Sequence, residues 1–287
     1  MGALRKDNVV ALSVAAKASA LSISNLAVRF GSRTILQDIN LDVREGEFLC
    51  VIGSSGSGKT SLLRILAGLA RPTDGSVLFE GTEISKPSRE RAIIFQDYSK
   101  SLLPWRTVRG NVALSLEARA VPAAEQHAVI DELIAKMGLG HAKDQYPAQL
   151  SGGMQQRVQI ARCLAQAPKL LLMDEPFGAL DAMTRQALQD EILQLTAEKQ
   201  ITSVFITHDL EEAIYLGDRV VVLGHFPATL VECLDIELPR PRNQLTTRED
   251  SRFLAYRHRL FELLANDRSA ISPVSYTHLT LPTNREV

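Results

Sequence analysis

The first part of the chain alternates hydrophobic and polar positions with a period of two, which is the pattern of half-buried β-strands. Residues 21–26 carry one such series and residues 39–43 carry a second, with a turn predicted between them at 30–32. An unbroken apolar run then covers 48–52 and ends in a glycine-rich loop. A strand that is buried on both faces has this pattern, so we predict a parallel strand there.

Strands and helices alternate in the rest of the chain. The residues after the glycine-rich loop have helical spacing up to Leu69, with Gly68 and Pro72 as the predicted stop signals. Apolar runs return at 170–173 and 204–207, with a helical pattern between them, which implies a parallel sheet with ligands at the carboxyl ends of its strands. The strand signal disappears over about 97–168, which predicts a helical lobe inserted into an α/β fold.

The composition argues against a nucleic-acid partner and against a membrane-spanning segment. The chain has 287 residues, 45% hydrophobic and 23% charged, with a formal net charge of -1, so it lacks the basic surplus typical of nucleic-acid-binding proteins. No stretch reaches the roughly 20 apolar residues needed to cross a bilayer, so membrane contact is expected only through a partner. The three cysteines, Cys50, Cys163 and Cys233, have apolar neighbours and are predicted to be buried and reduced.

The two ends of the chain are predicted to lie outside the main domain. Residues 1–20 are predicted to be an N-terminal extension; a short apolar run at 9–16 gives an export signal as the weaker alternative. The segment 274–287 contains VSYTHLTLPT, which resembles the translation of a sequencing-library adapter, and is predicted to be non-native. Between these ends we predict a main domain over 21–245 and a C-terminal helical extension over 246–273.

The sequence GSSGSGKT fits the pattern G-x-x-x-x-G-K-[ST], with a strand before it and a helix after it, as this motif requires. Glycines let backbone N–H groups approach phosphate oxygens closely, and the helix N-terminus adds positive potential. A lysine at this position would reach the β- and γ-phosphates, and the final hydroxyl would ligate Mg²⁺. The residues predicted to hold the phosphates are Gly53, Ser54, Ser55, Gly56, Ser57, Gly58, Lys59 and Thr60.

A pair of adjacent carboxylates ends the apolar strand at 170–173. Side chains alternate along a strand end, so Asp174 and Glu175 are expected to point in different directions. Asp174 is predicted to address Mg²⁺, and Glu175 to orient and polarise the attacking water as a general base. A helix-capping role for Glu175 is the alternative.

The segment LSGGMQQR predicts a capped helix start. Ser151 is a good N-cap, and positions 154, 158, 161 and 165 recur on one helical face, which leaves Gly152 and Gly153 at an exposed helix start. By itself this would be an ordinary capped helix. With GSSGSGKT before it and LLLMDEP after it, the chain resembles the nucleotide-binding domains of ABC transporters over about residues 21–240.

The resemblance implies a P-loop NTPase fold: a RecA-like core with an antiparallel β subdomain and an inserted helical subdomain. It implies that ATP lies between two subunits, bound by the P-loop (residues 53–60) of one and by Ser151, Gly152 and Gly153 of the other. The two subunits would be identical, in a homodimer, or a pair of different ATPase subunits. It further implies an adenine-stacking role for Phe30, Mg²⁺ and water contacts for Gln96, an interface position for Asp181, and γ-phosphate sensing for His208. Tyrosine is commoner than phenylalanine at the adenine position. The predicted catalytic residues are thus Glu175, His208 and Gln96, and the predicted metal ligands are Thr60, Gln96 and Asp174.

The segments FQDYSKSLLPW, LSGGMQQR and IELPRPR are similar to the nitrate, sulfonate and taurine importer subfamily. This likeness implies a peripheral protein at the cytoplasmic face of the plasma (inner) membrane, bound to transmembrane permease subunits and linked indirectly to a substrate-binding protein. The single tryptophan, Trp105, is then a candidate anchor for the permease, with packing inside the helical lobe as the alternative. A soluble ABC ATPase without a transport role is the second functional hypothesis.

Overall fold

The computed structural model describes residues 18–97, 101–178 and 180–269. Two sheets and a set of helices make up this part of the chain. The strands are β1 (Ser19–Phe30), β2 (Arg33–Arg44), β3 (Phe48–Gly53), β4 (Asp74–Phe79), β5 (Thr82–Glu83), β6 (Arg91–Ile94), β7 (Leu170–Asp174), β8 (Thr202–Ile206), β9 (Arg219–Leu223) and β10 (Leu230–Asp235). The α-helices are α1 (Lys59–Leu66), α2 (Val108–Ala118), α3 (Ala123–Lys136), α4 (Gly152–Ala165), α5 (Ala182–Glu198), α6 (Leu210–Leu216), α7 (Thr246–Glu249) and α8 (Ser251–Ser269).

The larger sheet has the strand order β10-β9-β3-β8-β7-β6. Its five strands from β9 to β6 run parallel, and β10 pairs antiparallel with β9 at one edge. The strands β3, β7 and β8 are buried along their whole length, because the sheet is covered on both faces. The smaller sheet has the order β2-β1-β4-β5 and is antiparallel throughout.

Two hydrophobic clusters pack on opposite faces of the larger sheet. Along β3, Phe48, Cys50 and Ile52 belong to the cluster that includes the helical lobe, while Leu49 and Val51 belong to the cluster that includes the smaller sheet and α1. This alternation follows from the two-residue period of a strand. It confirms the predicted α/β arrangement, with helices α2 to α4 inside the predicted lobe at 97–168.

Several details of the structure correct the sequence interpretation. The first helix ends at Leu66, just before the predicted stop signal Gly68, whose φ of +77° turns the chain away and leaves Leu69 exposed. Cys50 and Cys163 are buried as predicted, but Cys233 is exposed on the edge strand β10. Ser19 and Ala20, assigned to an extension, are the first residues of β1.

Trp105 is 71% exposed, so the alternative of packing inside the helical lobe is wrong for this chain. The predictions for residues 1–17 and 274–287 lie outside the described residues. Within the described ranges, no helix combines the length and apolar character that a membrane crossing requires.

Candidate functional site

The carboxyl ends of four neighbouring strands bring the predicted site residues together. Strands β3, β8, β7 and β6 lie side by side in that order and run parallel, so the segments that follow them emerge at one edge of the sheet. The P-loop follows β3, His208 follows β8, Asp174 and Glu175 end β7, and Gln96 follows β6.

The P-loop wraps around the side chain of its own lysine. The Lys59 ammonium donates to the carbonyl oxygens of Gly53 and Ser54, both at 2.8 Å. Gly58 caps α1 with a φ of +85°, and a Cβ there would lie 2.8 Å from side-chain carbons of Ile35 and Leu36. Only glycine fits at this position, because both the backbone angle and the available space exclude a side chain.

Two buried hydroxyls in this loop, those of Ser54 and Ser57, make no hydrogen bond within the protein. Unsatisfied buried polar groups are costly, and such groups in a native protein call for an explanation. Phosphate oxygens are acceptors that suit such donors, so the chemistry of the loop fits a phosphate group.

The two adjacent carboxylates have different partners. The Asp174 Oδ1 atom lies 3.4 Å from the Thr60 hydroxyl at the start of α1. Glu175 has a φ of +43°, and its Oε2 atom lies 3.0 Å from His208 Nδ1. The divergence expected at the strand end is therefore present, and Glu175 makes its contact across to the neighbouring β8.

The charges of this site are partly withdrawn from water. Burial lowers the pKa of Lys59, an effect that the carboxylates of Glu175 and Asp174 oppose. Burial raises the pKa of Asp174, while its hydrogen bond from Thr60 and the charge of Lys59 act in the other direction. In both groups burial outweighs the opposing charge nearby, and such shifts of pKa by burial together with a charged partner are common at functional sites.

A cleft of about 530 Å³ opens between these segments. Of the residues predicted from sequence, its walls contain Phe30, Ser55, Gly56, Gly58, Lys59, Thr60, Gln96, Glu175 and His208. Phe30 is 65% exposed, so one face of its ring is free to receive a planar group.

The cleft wall also contains Ile35 and Ser61, which the sequence interpretation missed. Ser61 follows the P-loop directly, and its place next to that motif could have indicated it. Ile35 comes from β2, and no local pattern identifies it, because it reaches the cleft through the pairing of the smaller sheet.

The remaining predicted residues are not part of the cleft wall. The Ser151 hydroxyl caps α4 by accepting the N–H of Met154 at 3.3 Å, as predicted, and Asp181 caps α5 by accepting the N–H of Thr184 at 3.0 Å. Gly153 is so near α5 that a Cβ there would lie 2.9 Å from Thr184 Cγ2. The structure therefore brings Gly153 against the first turn of α5, the helix that Asp181 caps; Ser151 and Asp181 are exposed, and Gly152 and Gly153 are half-buried. Ala179, in the loop before Asp181, lies outside the described residues.

A cation in this cleft would have few protein ligands. No group of three or more histidine, cysteine, aspartate or glutamate side chains with metal-binding geometry occurs in the described part of the chain. Asp174 and Thr60 instead offer two oxygens close to the expected position of the phosphates, which suits Mg²⁺ because this ion is usually held by one or two carboxylates and by substrate phosphates.

Comparison with known proteins gives consistent matches. The family model for ABC transporters matches residues 36–178. The bicarbonate transport ATP-binding protein CmpC of Synechococcus elongatus is 50% identical over 213 residues, which are 73% of this chain and 32% of that protein. The nitrate transport protein NasD of Klebsiella oxytoca is 43% identical over 252 residues, which are 85% of this chain and 95% of that protein.

Among solved structures, a dimeric post-hydrolysis state of the ATP-binding cassette MJ0796 bound to ADP and Pi is similar, with a TM-score of 0.67 and 29% identity. The likeness covers 76% of this chain and 99% of that one. The chain spans about a third of the length of CmpC but nearly all of NasD.

Proposed function

We propose that this chain, which belongs to the ABC transporter family, binds and hydrolyses Mg-ATP and thereby drives an importer. One observation carries the proposal: the P-loop lysine, Glu175 and His208 form walls of one cleft, with Glu175 and His208 in direct contact. A phosphate-binding loop alone would bind a nucleotide. A carboxylate beside a phosphate-sensing histidine adds the means to activate water.

ATP binding would use the backbone of the P-loop for the phosphates and the exposed ring of Phe30 for adenine. Lys59 would exchange its two carbonyl partners for β- and γ-phosphate oxygens, which is favourable because its charge is already partly desolvated. Thr60, Asp174 and Gln96 would hold Mg²⁺. When bound, this ion supplies Lewis-acid stabilisation of the phosphate charge.

Hydrolysis requires a group that takes a proton from water in line with the γ-phosphate. Glu175 is the best placed, because its carboxylate lies at the cleft wall and is held by His208 at 3.0 Å. His208 Nδ1 is engaged by Glu175 at 3.0 Å, which would leave the other ring nitrogen of His208 to contact the γ-phosphate. Glu175 then acts as the general base and His208 as the sensor that aligns it.

The separation of Ser151, Gly152 and Gly153 from the cleft supports a shared active site. Their helix start offers N–H groups to an anion, and in this chain it does not line the cleft at its own P-loop. A second cassette would supply it, with Asp181 at the same interface. The relative MJ0796 is a dimer in the post-hydrolysis state.

The transported substrate is proposed to be a small anionic nutrient of the nitrate, sulfonate or taurine kind. Support comes from relatives whose names refer to nitrate and bicarbonate transport. The substrate would pass through a permease, so this chain would act from the cytoplasmic face of the membrane as a peripheral subunit and would contact the substrate-binding protein only indirectly. The exposed Trp105 is the proposed permease anchor. A soluble, non-transport ATPase is disfavoured because the matched relatives are transport proteins.

The test is steady-state ATPase activity as a function of protein concentration, for the wild type and Glu175→Gln. We expect turnover per subunit to rise with concentration, and the variant to lose at least about a hundredfold in kcat, since it loses the base. Glu175→Gln should retain ATP and form a stable dimer under Mg-ATP, measured by light scattering after size exclusion. Wild-type turnover in the variant would refute the role of Glu175, and concentration-independent turnover by a monomer would refute the shared site.

A further inference from the structure

Glu212 is a buried carboxylate that the proposed chemistry does not use. It lies on α6, four residues after His208, and is 6% exposed. Its Oε2 atom accepts the Thr207 hydroxyl at 2.6 Å, and its Oε1 atom accepts the Gln189 amide at 3.1 Å. Burial raises the pKa of Glu212, an effect that both hydrogen bonds oppose. Burying a carboxylate costs free energy that its hydrogen bonds must offset. The groups that donate these hydrogen bonds therefore indicate its structural role.

Thr207 transmits this contact to the turn that presents His208. Its hydroxyl donates to Glu212 and accepts the backbone N–H of Asp209 at 3.0 Å. Asp209 in turn caps α6 by accepting the N–H groups of Glu211 and Glu212 at 2.9 and 3.2 Å. His208 is thus flanked on both sides by residues whose side chains fix the backbone, while its own side chain is largely exposed.

The same network extends away from the cleft. Gln189 lies on α5, and its Oε1 atom lies 3.3 Å from the amide nitrogen of Gln244, which also donates to Asp190 at 2.8 Å. Gln244 belongs to the segment that leads into α7. A chain of polar contacts therefore runs from this segment through Gln189, Glu212 and Thr207 to the turn at His208.

We propose that Glu212 is a positioning residue for ATP hydrolysis, acting through the Thr207 hydroxyl to hold His208 against Glu175. The inference rests on the proposed function, because it assumes that His208 acts on the γ-phosphate. An apolar side chain could fill the space of Glu212, but it could not accept the hydrogen bonds from Thr207 and from Gln189 on α5. The exposed imidazole has little packing of its own, so its direction depends on the backbone turn, and small errors in the position of a reacting group reduce rates strongly.

Thr207→Val tests the inference with little change in side-chain shape. We expect kcat to fall about tenfold or more and the KM for Mg-ATP to stay within about twofold, because the turn aligns the reaction and not the nucleotide. Thr207→Ser keeps the hydroxyl and should retain most of the wild-type kcat. Thr196→Val is the matched control: it removes a buried hydroxyl that bonds Ile192 and Leu193 within α5, outside the network. It should lower thermal stability without lowering kcat.

A double-mutant cycle with His208→Ala separates a positioning role from a general loss of structure. If Thr207 acts through His208, then Thr207→Val should have no further effect on kcat once His208 is removed. A wild-type kcat for Thr207→Val overturns the inference, and so does an equal loss in both backgrounds. Either result leaves the proposed function intact, since Glu175→Gln and His208→Ala test that function independently of Thr207.

Discussion

Burial divides the three cysteines into two chemical classes. Cys50 and Cys163 lie in the core, where burial raises the pKa of the first far above its usual value and that of the second to about 11. Cys233 is exposed on β10, although partial burial also raises its pKa. The reactive form of cysteine is the accessible thiolate, so accessibility decides which of the three reacts.

Thiol labelling should therefore count one reactive cysteine in the folded protein. With a thiol reagent at pH 8, we expect one equivalent to react in native protein and all three in denaturant, because unfolding removes the burial that suppresses the other two. Cys233→Ser should abolish the native reaction and leave two equivalents in denaturant. Native labelling of that variant would contradict the described burial of Cys50 and Cys163.

At the scale of elements, the C-terminal helix α8 is attached by one of its faces. It packs against α6 and β9, and its residues Phe253 and Leu260 belong to the cluster that includes the helical lobe. Phe253 is 1% exposed, whereas Phe261 on another face of α8 is 64% exposed. This helix therefore adds to the core of the cassette through its Phe253 and Leu260 face.

Two phenylalanine variants in α8 should separate these faces. Phe253→Ala is expected to lower the free energy of unfolding by about 3–5 kcal/mol through lost burial and a cavity. Phe261→Ala should change it by no more than about 0.5 kcal/mol, as for other surface positions. Urea denaturation followed by circular dichroism measures both. Equal effects of the two substitutions would show that α8 is not anchored by the Phe253 face.

Strands and helices could be predicted wherever a regular hydrophobic pattern extends over many residues. The same pattern does not show at which residue each of them ends. Strands β3, β7 and β8 were identified because they are continuous apolar runs buried on both faces. The hydrophobic spacing alone would carry α1 on to Leu69, and only the stop signal at Gly68 indicates the turn that ends the helix. Cys233 was misplaced because its apolar neighbours were taken as a sign of burial, whereas β10 is an edge strand that contains two acidic residues and exposes every second side chain.

At the scale of the whole molecule, one chain contains only part of the proposed active site. The cleft gathers the P-loop, Gln96, Glu175 and His208, while Ser151 and Asp181 cap α4 and α5 outside the cleft wall. The prediction that the chain is an ABC-type cassette is confirmed by its family matches. Assignment of roles to individual residues stays a prediction.

Closure of two cassettes should be sensitive to bulk at the start of α4. In the Glu175→Gln background, Ser151→Arg is expected to prevent the Mg-ATP-dependent dimer while leaving ATP binding by the monomer intact, because arginine would occupy the space of the partner's phosphates. Light scattering after size exclusion measures the dimer, and equilibrium dialysis measures ATP binding.

The control for lost capping is Thr107→Ala, which removes the cap of α2 from the N–H of Gly110. Loss of this cap should lower the free energy of unfolding by ~1 kcal/mol and leave dimer formation unchanged. A normal dimer in the Ser151→Arg variant would rule out this helix start as part of the interface.

The sequence could predict the site residues that belong to motifs, since each motif combines a strand end with a specific chemistry. It could not predict the contribution of Ile35, which depends on how β1 and β2 fold over the P-loop. Nor could it predict the network around Glu212, because Gln189 and Gln244 are far apart in sequence and carry no local signal.

The position of Trp105 has a consequence for spectroscopy. It is the single tryptophan of the chain and lies on the surface of the helical lobe, outside the wall of the nucleotide cleft. Its fluorescence emission therefore reports on the solvent at the proposed permease surface rather than on the core or the cleft. A blue shift on adding permease in detergent, absent on adding nucleotide alone, would record docking directly in the unlabelled protein.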